Sequence, residues 1–284
     1  MDPLTERTPR VVSAVKLLRA AERRKTGRFL AEGENSVTEA LATGAVHDVF
    51  VTEDAAERYR DLVSIAEGRG VRVCIVTDRA AERLSDTVSP PGLVAVCDTL
   101  DVPLDSALDS GSRLLAIPVE MGEPGNAGTL IRVADAVGAD AVILAGDSVD
   151  PHNGKCVRSS AGSVFHLPLV RERDTTRVLD SVTAAGVTIL ATAADGEVDL
   201  DDADELLAGP TAWLFGSEAH GLPPRWPPGP TTGYASRSAV VPNHSTWRPQ
   251  PRSACTRVPG CSIGRYAPNL GFLRCGHPRT GFTH

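Results

Sequence analysis

The stretch from Leu114 to Pro168 constrains the fold most, because short apolar runs alternate there with polar loops and one amphipathic segment. Leu114-Leu115-Ala116-Ile117-Pro118-Val119 has the length and character of a buried strand. A Pro124-Gly125-Asn126 turn then feeds into helical periodicity, with Leu130, Ile131, Ala134 and Val137 on one side. Asn126 is expected to cap that helix through its side-chain oxygen. Arg132 lies less than two turns further on and is expected near the same end of the sheet. A second strand is expected at 141–144. The polar turn Asp150-Pro151-His152-Asn153 leads to Arg158, Ser159, Ser160, Gly162 and Ser163, with a third strand expected at 164–167. Strand, loop, helix, strand is the unit of a parallel sheet, and ligands of such sheets sit at the carboxyl ends of the strands.

The rest of the chain fits an α/β protein of two domains. Residues 1–10 look loose. A helix pattern runs from Val11 through Leu18 and Ala21 to a basic end, Arg23-Arg24-Lys25, where Thr26-Gly27 stops it. Strands are expected at 29–31, 46–51, 71–76 and 93–97, and helices from Asn35 or Ser36 to Thr43, at 54–67 and at 78–84. Residues 1–98 thus form one small α/β domain, and the polar segment 99–112, with Pro103 and Gly111, reads as a linker. The second domain covers 113–226. After Leu167 its expected elements are a helix at 175–185 and strands at 187–191 and 211–215, the last ending in Gly216-Ser217-Glu218-Ala219-His220-Gly221.

Charge marks a third region. All 36 acidic residues of the 284 lie at or before Glu218. Residues 1–226 carry 22 basic groups against those 36, a net of −14, whereas residues 227–284 carry seven arginines and no acid, a net of +7. The overall charge of −7 therefore says nothing about nucleic acid; local patterns must decide. Nine prolines and three of the six cysteines also fall after Trp226, with no period of 2 or 3.6, so this tail is expected to be disordered. The scattered cysteines suit neither a zinc site nor a disulfide framework and are expected to be reduced. No metal is expected. No apolar run approaches the ~20 residues of a membrane helix, and the N-terminus is no signal peptide, so a cytoplasmic location is expected.

Three loops at strand ends, 123–132, 150–163 and 216–222, carry the polar residues that chemistry needs, and together they resemble a known family. Glu123 to Asp135, Asp150 to Pro168 and Trp213 to Pro223 look like the three motifs of the SpoU (TrmH-like) branch of the SPOUT RNA methyltransferases, with the thiostrepton-resistance-like ribosomal RNA enzymes as the nearest subgroup. Leu17 to Leu41, with Arg23-Arg24-Lys25-Thr26-Gly27-Arg28-Phe29-Leu30-Ala31-Glu32-Gly33, is similar to that family's substrate-binding domain of L30e-like fold, and Ser89-Pro90-Pro91-Gly92 to its junction. The resemblance implies methyl transfer from S-adenosyl-L-methionine to a ribose 2'-hydroxyl of ribosomal or transfer RNA. It implies catalytic roles for Arg132, Asn126 and Glu218, cofactor contacts at Leu214, Phe215 and Gly216, and RNA contacts at Arg23, Arg24, Lys25, Arg28 and Arg158. It also implies a homodimer. The alternative is an RNA-binding protein without catalysis. An unrelated α/β hydrolase is disfavoured, since no G-x-x-x-x-G-K-[ST] or G-x-G-x-x-G pattern occurs and the one G-x-S-x-G match, at 260–264, falls in the tail outside the expected α/β domains.

One part of the family pattern is missing. Beyond the third motif the family continues into a strand and a helix carrying Ile-Pro and Ser-Leu-Asn, which thread a trefoil knot, touch the cofactor's adenine and build much of the dimer interface. Nothing after Trp226 resembles it; Val240-Val241-Pro242-Asn243 comes nearest. The sudden loss of acids with a rise in Arg, Pro, Ser and Cys is the composition a shifted reading frame in a GC-rich gene would give. The knot segment thus counts as missing or replaced, the cofactor pocket as lacking a wall, and the subunit as lacking half its partner surface. Calorimetric titration with S-adenosyl-L-methionine is expected to give weak binding or none; micromolar affinity would contradict this.

Overall fold

The computed structural model describes residues 2–108, 111–193, 198–199, 203–216 and 237–240. Its first sheet grows from period-2 apolar runs. In chain order the elements are α1 (Pro9–Lys16), α2 (Ala20–Thr26), β1 (Arg28–Glu32), α3 (Glu34–Thr43), β2 (Val46–Val51), α4 (Glu53–Arg58), α5 (Arg60–Gly68), β3 (Arg72–Ile75), α6 (Asp78–Leu84) and β4 (Leu93–Asp98). The strands lie in the order β1-β4-β2-β3, with only β2 and β3 parallel. Alternation splits their side chains cleanly. Phe29, Ala31, Val49, Val51, Leu93 and Ala95 face one core. Leu30, Phe50, Val94 and Val96 face another, closed by α1 and α6 through Val11, Ala14, Ala80 and Leu84.

The second sheet follows from α7 (Leu104–Ala107), β5 (Leu114–Pro118), α8 (Pro124–Ala136), β6 (Ala141–Ala145), α9 (Gly154–Ser159), β7 (Leu169–Glu172), α10 (Thr175–Ala184), β8 (Thr188–Ala193), β9 (Val198–Asp199), α11 (Asp204–Leu207), β10 (Thr211–Phe215) and β11 (Arg237–Val240). Strand order is β7-β6-β5-β10-β8-β11-β9, and every pairing is parallel. Parallel strands need both faces covered. Ile117, Ile143 and Leu214 pack with α10 on one face, and Ala116, Val142, Leu144 and Trp213 face α8 and α9 on the other.

Several expectations shift for local reasons. The first helix is two, because the carbonyls of Leu17 and Leu18 turn to the Arg23 guanidinium, each at 3.0 Å. The 54–67 helix breaks at Tyr59. Residues 2–8 are not all loose: Leu4 bridges Val76, its amide 2.8 Å from the Ile75 carbonyl. The strand placed at 164–167 is instead a 3-10 turn, Ser163–Phe165, and pairing starts only at Leu169, after Pro168, which has no amide to donate. Residues expected to link the domains include a packed helix, with Leu104 and Ala107 buried against the second sheet. The tail also contributes: Arg237–Val240 pairs with both β8 and β9, and the remainder of 227–284 lies outside the described residues.

The two domains share one core. The cluster beneath β1 and β4 continues without a break into Val157, Val164 and Phe165 of the second domain. Phe29 sits 4.5 Å from the ring of His152 and 5.8 Å from that of Phe165, centroid to centroid. Buried charge crosses the same boundary. Arg23, only 4% exposed, holds Asp150 at 2.8 Å. Burial alone would raise the Asp150 carboxyl, but hydrogen bonds from His152 and Arg23 hold it far below the ordinary carboxylate range. The fully buried His152 accepts the Leu100 amide on Nε2 at 3.2 Å, and its Nδ1 faces Asp150 and Asp101 at 3.6 and 3.7 Å, beyond hydrogen-bond reach. At the outer rim His166 bridges Asp135 at 2.7 Å and Glu39 of the first domain at 3.0 Å. Partial burial lowers its pKa, but the hydrogen bonds that the ring donates to the Glu39 and Asp135 carboxylates, with their charges, raise it more, for a net increase.

The sign of that linkage fixes a pH dependence. A raised folded-state value means the bridge stabilises fully below the ordinary histidine value of 6.5 and fades as pH rises through the folded value. The urea midpoint of the wild type should therefore exceed that of His166→Asn most on the acid side of 6.5, with the gap closing as pH rises. A gap that is constant with pH would contradict this role.

Candidate active site

The strand order places a crevice. From β5 the chain steps outward to β6 and β7, then crosses back to β8 and β10 on the other side of β5. The reversal lies between β5 and β10, and ligands of open parallel sheets bind outside the carboxyl ends at such a switch point. The chain leaves β5 toward Glu123 and α8, leaves β6 toward Asp150 and α9, and leaves β10 at Gly216. Three of the sequence motifs therefore begin at one sheet edge.

Hydrogen bonds hold these loops to each other. Ser148 Oγ donates to the Ala145 carbonyl at 2.7 Å and accepts the Met121 amide at 3.1 Å, and the Val149 amide reaches the Met121 carbonyl at 2.9 Å. Val119 donates to the Phe215 carbonyl at 2.8 Å, joining the ends of β5 and β10. Glu120 takes φ +50° in this turn, an uncommon conformation for a residue with a Cβ. Helix α8 is capped by Glu123, whose carboxylate accepts the Gly125 amide at 3.2 Å, with Pro124 at the first helical position. Asn126 thus lies inside the first turn and is not the cap. Lys155 reaches the same carboxylate at 2.5 Å, and that bond together with the amide lowers the Glu123 pKa.

Helices α8 and α9 cross at Gly128. A Cβ there would fall 1.9 Å from Ser159 Oγ and 2.3 Å from the Cys156 carbonyl oxygen, so only glycine permits the approach. The close crossing buries Cys156 and pushes its thiol up to about 12, mainly by desolvation. It also fixes the height at which α8 presents Asn126 and Arg132. Asn126 is half-buried; Arg132 is exposed and has no ion-pair partner among the described residues. Six residues of helix separate them by about 9 Å along the axis. Helical side chains lean toward the N-terminus, which inclines the long arginine back toward the sheet edge.

The remaining expected site residues divide. Leu214 is fully buried, and its carbonyl accepts Thr192 Oγ1 at 2.9 Å. Phe215 and Gly216 are half-buried at the edge itself. Glu218 and His220 lie outside the described residues. Arg24, Lys25 and Arg28 are exposed, Arg28 with only a 3.8 Å approach to Asp98. Arg23 does not belong with them. Freeing it for a phosphate would break its bonds to Asp150 and to the Leu17 and Leu18 carbonyls. Arg158 is also held: its Nη1 meets Glu32 at 3.1 Å and Asp86 at 2.5 Å, both in the first domain. Sequence reading missed Lys155 and Ser148, whose roles depend on which loops the topology makes neighbours.

The chain thus joins a parallel sheet with its switch point between β5 and β10 to a small mixed-sheet domain that bears an exposed basic helix end. Residues 113–227 match the SpoU rRNA Methylase family, and residues 8–95 match an MRM3-like substrate binding domain. The chain is 35% identical to the 23S rRNA (guanosine(2553)-2'-O)-methyltransferase RlmP of Bacillus subtilis, over 63% of this chain and 67% of that one. It is 32% identical to the 23S rRNA (uridine(2479)-2'-O)-methyltransferase of Streptomyces viridochromogenes, over 72% and 73%. Among solved structures, the AdoMet-bound rRNA methyltransferase of Sinorhizobium meliloti superposes with a TM-score of 0.72 at 26% identity, over 90% of this chain and 94% of that one. The AdoMet complex of AviRb from Streptomyces viridochromogenes gives 0.71 at 25%, over 88% and 94%. The chain belongs to the SpoU rRNA methylase family.

Gly128→Ala tests the helix crossing. The added methyl meets backbone, so overpacking of about 1–3 kcal/mol should outweigh the gain in helix propensity, while Thr129→Ala on the exposed side should stay within about 0.5 kcal/mol. Urea denaturation showing the two variants equally stable would remove the packing role of Gly128.

Proposed function

We propose that this chain transfers a methyl group from S-adenosyl-L-methionine to a ribose 2'-hydroxyl of ribosomal RNA in the cytoplasm. The reading is supported by the switch point between β5 and β10: α8, with Asn126 and Arg132, follows β5, and β10 ends at Gly216. The residues present suit the cofactor on one side: Gly216 offers backbone without a side chain, so an adenosine could approach closely. The cofactor would supply an electrophilic methyl group. A 2'-hydroxyl is a poor nucleophile, so it needs close positioning and help in losing its proton.

Arg132 is a permanent cation, and it acts by holding an RNA phosphate and stabilising negative charge as it develops on the ribose oxygen. Asn126 fixes the loop and contacts the ligand. Glu218 orients Arg132 or the ribose. Leu214 and Phe215 contribute backbone only, since the Leu214 side chain is inside the core. Arg24, Lys25 and Arg28, with Lys16 and Arg19 beside them, form an exposed basic surface for sequence-independent phosphate contacts. Arg158 takes part through the domain junction rather than as a free phosphate ligand. The altered composition after Trp226 supports weak cofactor affinity and a subunit that dimerises less readily than its family.

Labelled methyl transfer to ribosomal and transfer RNA, at high cofactor concentration, tests the reading. Ribosomal RNA should be modified, and Arg132→Ala should lower the rate about a hundredfold or more. Undiminished transfer by Arg132→Ala would remove that residue from its role. RNA binding without any transfer would favour the non-catalytic alternative.

A further inference from the structure

A polar cavity lies beside the end of α9. It has a volume of about 270 Å³ and opens at the domain junction, between the start of α3 and the end of α9, lined by Glu32, Glu34, Asn35, Ser36, Arg158 and Ala161. Three features mark it as built for a ligand. Ser36, only 3% exposed, belongs to the lining. Arg158 uses a single nitrogen, Nη1, for both of its carboxylates, so Nε and Nη2 remain as donors without a partner among the described residues. The rim is rigid: Ser85 and Thr87 donate to Glu32 at 2.5 and 3.3 Å, and Ala161 is held at φ +51°. Guanidinium donors that the two carboxylates leave unused, set in a concave polar lining, are what the acceptors of a ligand would engage.

Charge decides what that partner is. Glu32, Glu34 and nearby Asp86 outnumber Arg158, so a phosphate dianion would be repelled despite the guanidinium. A neutral, planar group with donors and acceptors on one edge suits the lining: carboxylate and amide oxygens accept, while Arg158, Asn35 and Ser36 donate. The space admits one nucleobase and no duplex. Position agrees, because Ser159 next to Arg158 approaches the Pro124 carbonyl at 3.4 Å, two residues before Asn126. RNA is read in sequence mainly through unstacked bases hydrogen-bonded at their edges. Resting on the RNA methyltransferase reading above, we infer that the junction cavity seats one unstacked nucleobase of the substrate RNA near the target ribose, with Asn35, Ser36 and Arg158 reading its edge.

The test uses the full chain and compares its affinity for an unmodified 23S ribosomal RNA transcript with that for a random-sequence single-stranded RNA. Asn35→Ala and Ser36→Ala should each reduce this ratio about three- to tenfold, the worth of one hydrogen bond. Lys25→Ala should weaken both RNAs alike. Removing the Ser36 hydroxyl should leave the urea midpoint unchanged or higher, so a misfolded variant cannot imitate the result. An unchanged ratio in both cavity variants, with wild-type preference intact, overturns the cavity assignment and leaves the enzyme reading standing. A wild type that binds neither RNA overturns both.

Discussion

The loop that follows β6 is fixed by a largely buried ion pair. Arg23, at the core of the first domain, holds Asp150, and Asp150 begins the loop that launches α9. Exposed pairs of this kind contribute about 0–1 kcal/mol, but a buried pair cannot lose one partner without leaving the other charged in the interior. Position rather than strength is what matters here. The same pair that closes the domain interface sets α9, α9 sets α8 through the Gly128 crossing, and α8 carries Asn126 and Arg132. The first domain, which matches a substrate binding domain, is therefore also part of the scaffold that sets α8.

This coupling explains why the basic segment at the end of α2 divides in its roles. Arg23 and Arg24 are adjacent in sequence, but on a helix they point about 100° apart. One faces the interior, where it meets two carbonyls and a carboxylate; the other faces solvent with Lys25. The same division applies to Arg158, which stands at the junction with a carboxylate on each side and still has donors to offer.

Much of the fold was legible. Apolar runs of five or six residues located most strands, and turn chemistry at Gly27 and Gly44 ended helices where the chain ends them. Asn126 was misread as a cap because Asn is a good cap in general, whereas Glu123 followed by proline at the first helical position was the stronger local signal. The 164–167 strand failed because a periodic apolar run cannot tell a 3-10 turn packed into the core from a strand, and Pro168 was the clue. Arg23 as an RNA ligand could not have been rejected from sequence: its partner is 127 residues away. The junction cavity was illegible for the same reason, since its walls come from both domains. The tail reads as loose throughout, yet Arg237–Val240 completes pairing between β8 and β9; the run Arg-Ser-Ala-Val has too little apolar alternation to announce a strand.

The central claim is that two sheets act as one body through a shared core and the Arg23–Asp150 pair. Native-state hydrogen exchange across a urea series tests it directly. Amides of β1, β2 and β4 should lose protection in the same cooperative step as those of β5, β6 and β10, and Asp150→Asn should lower that step for both sheets. A front sheet that opens at distinctly lower urea than the parallel sheet, or an Asp150→Asn variant that weakens only one of them, would contradict the account.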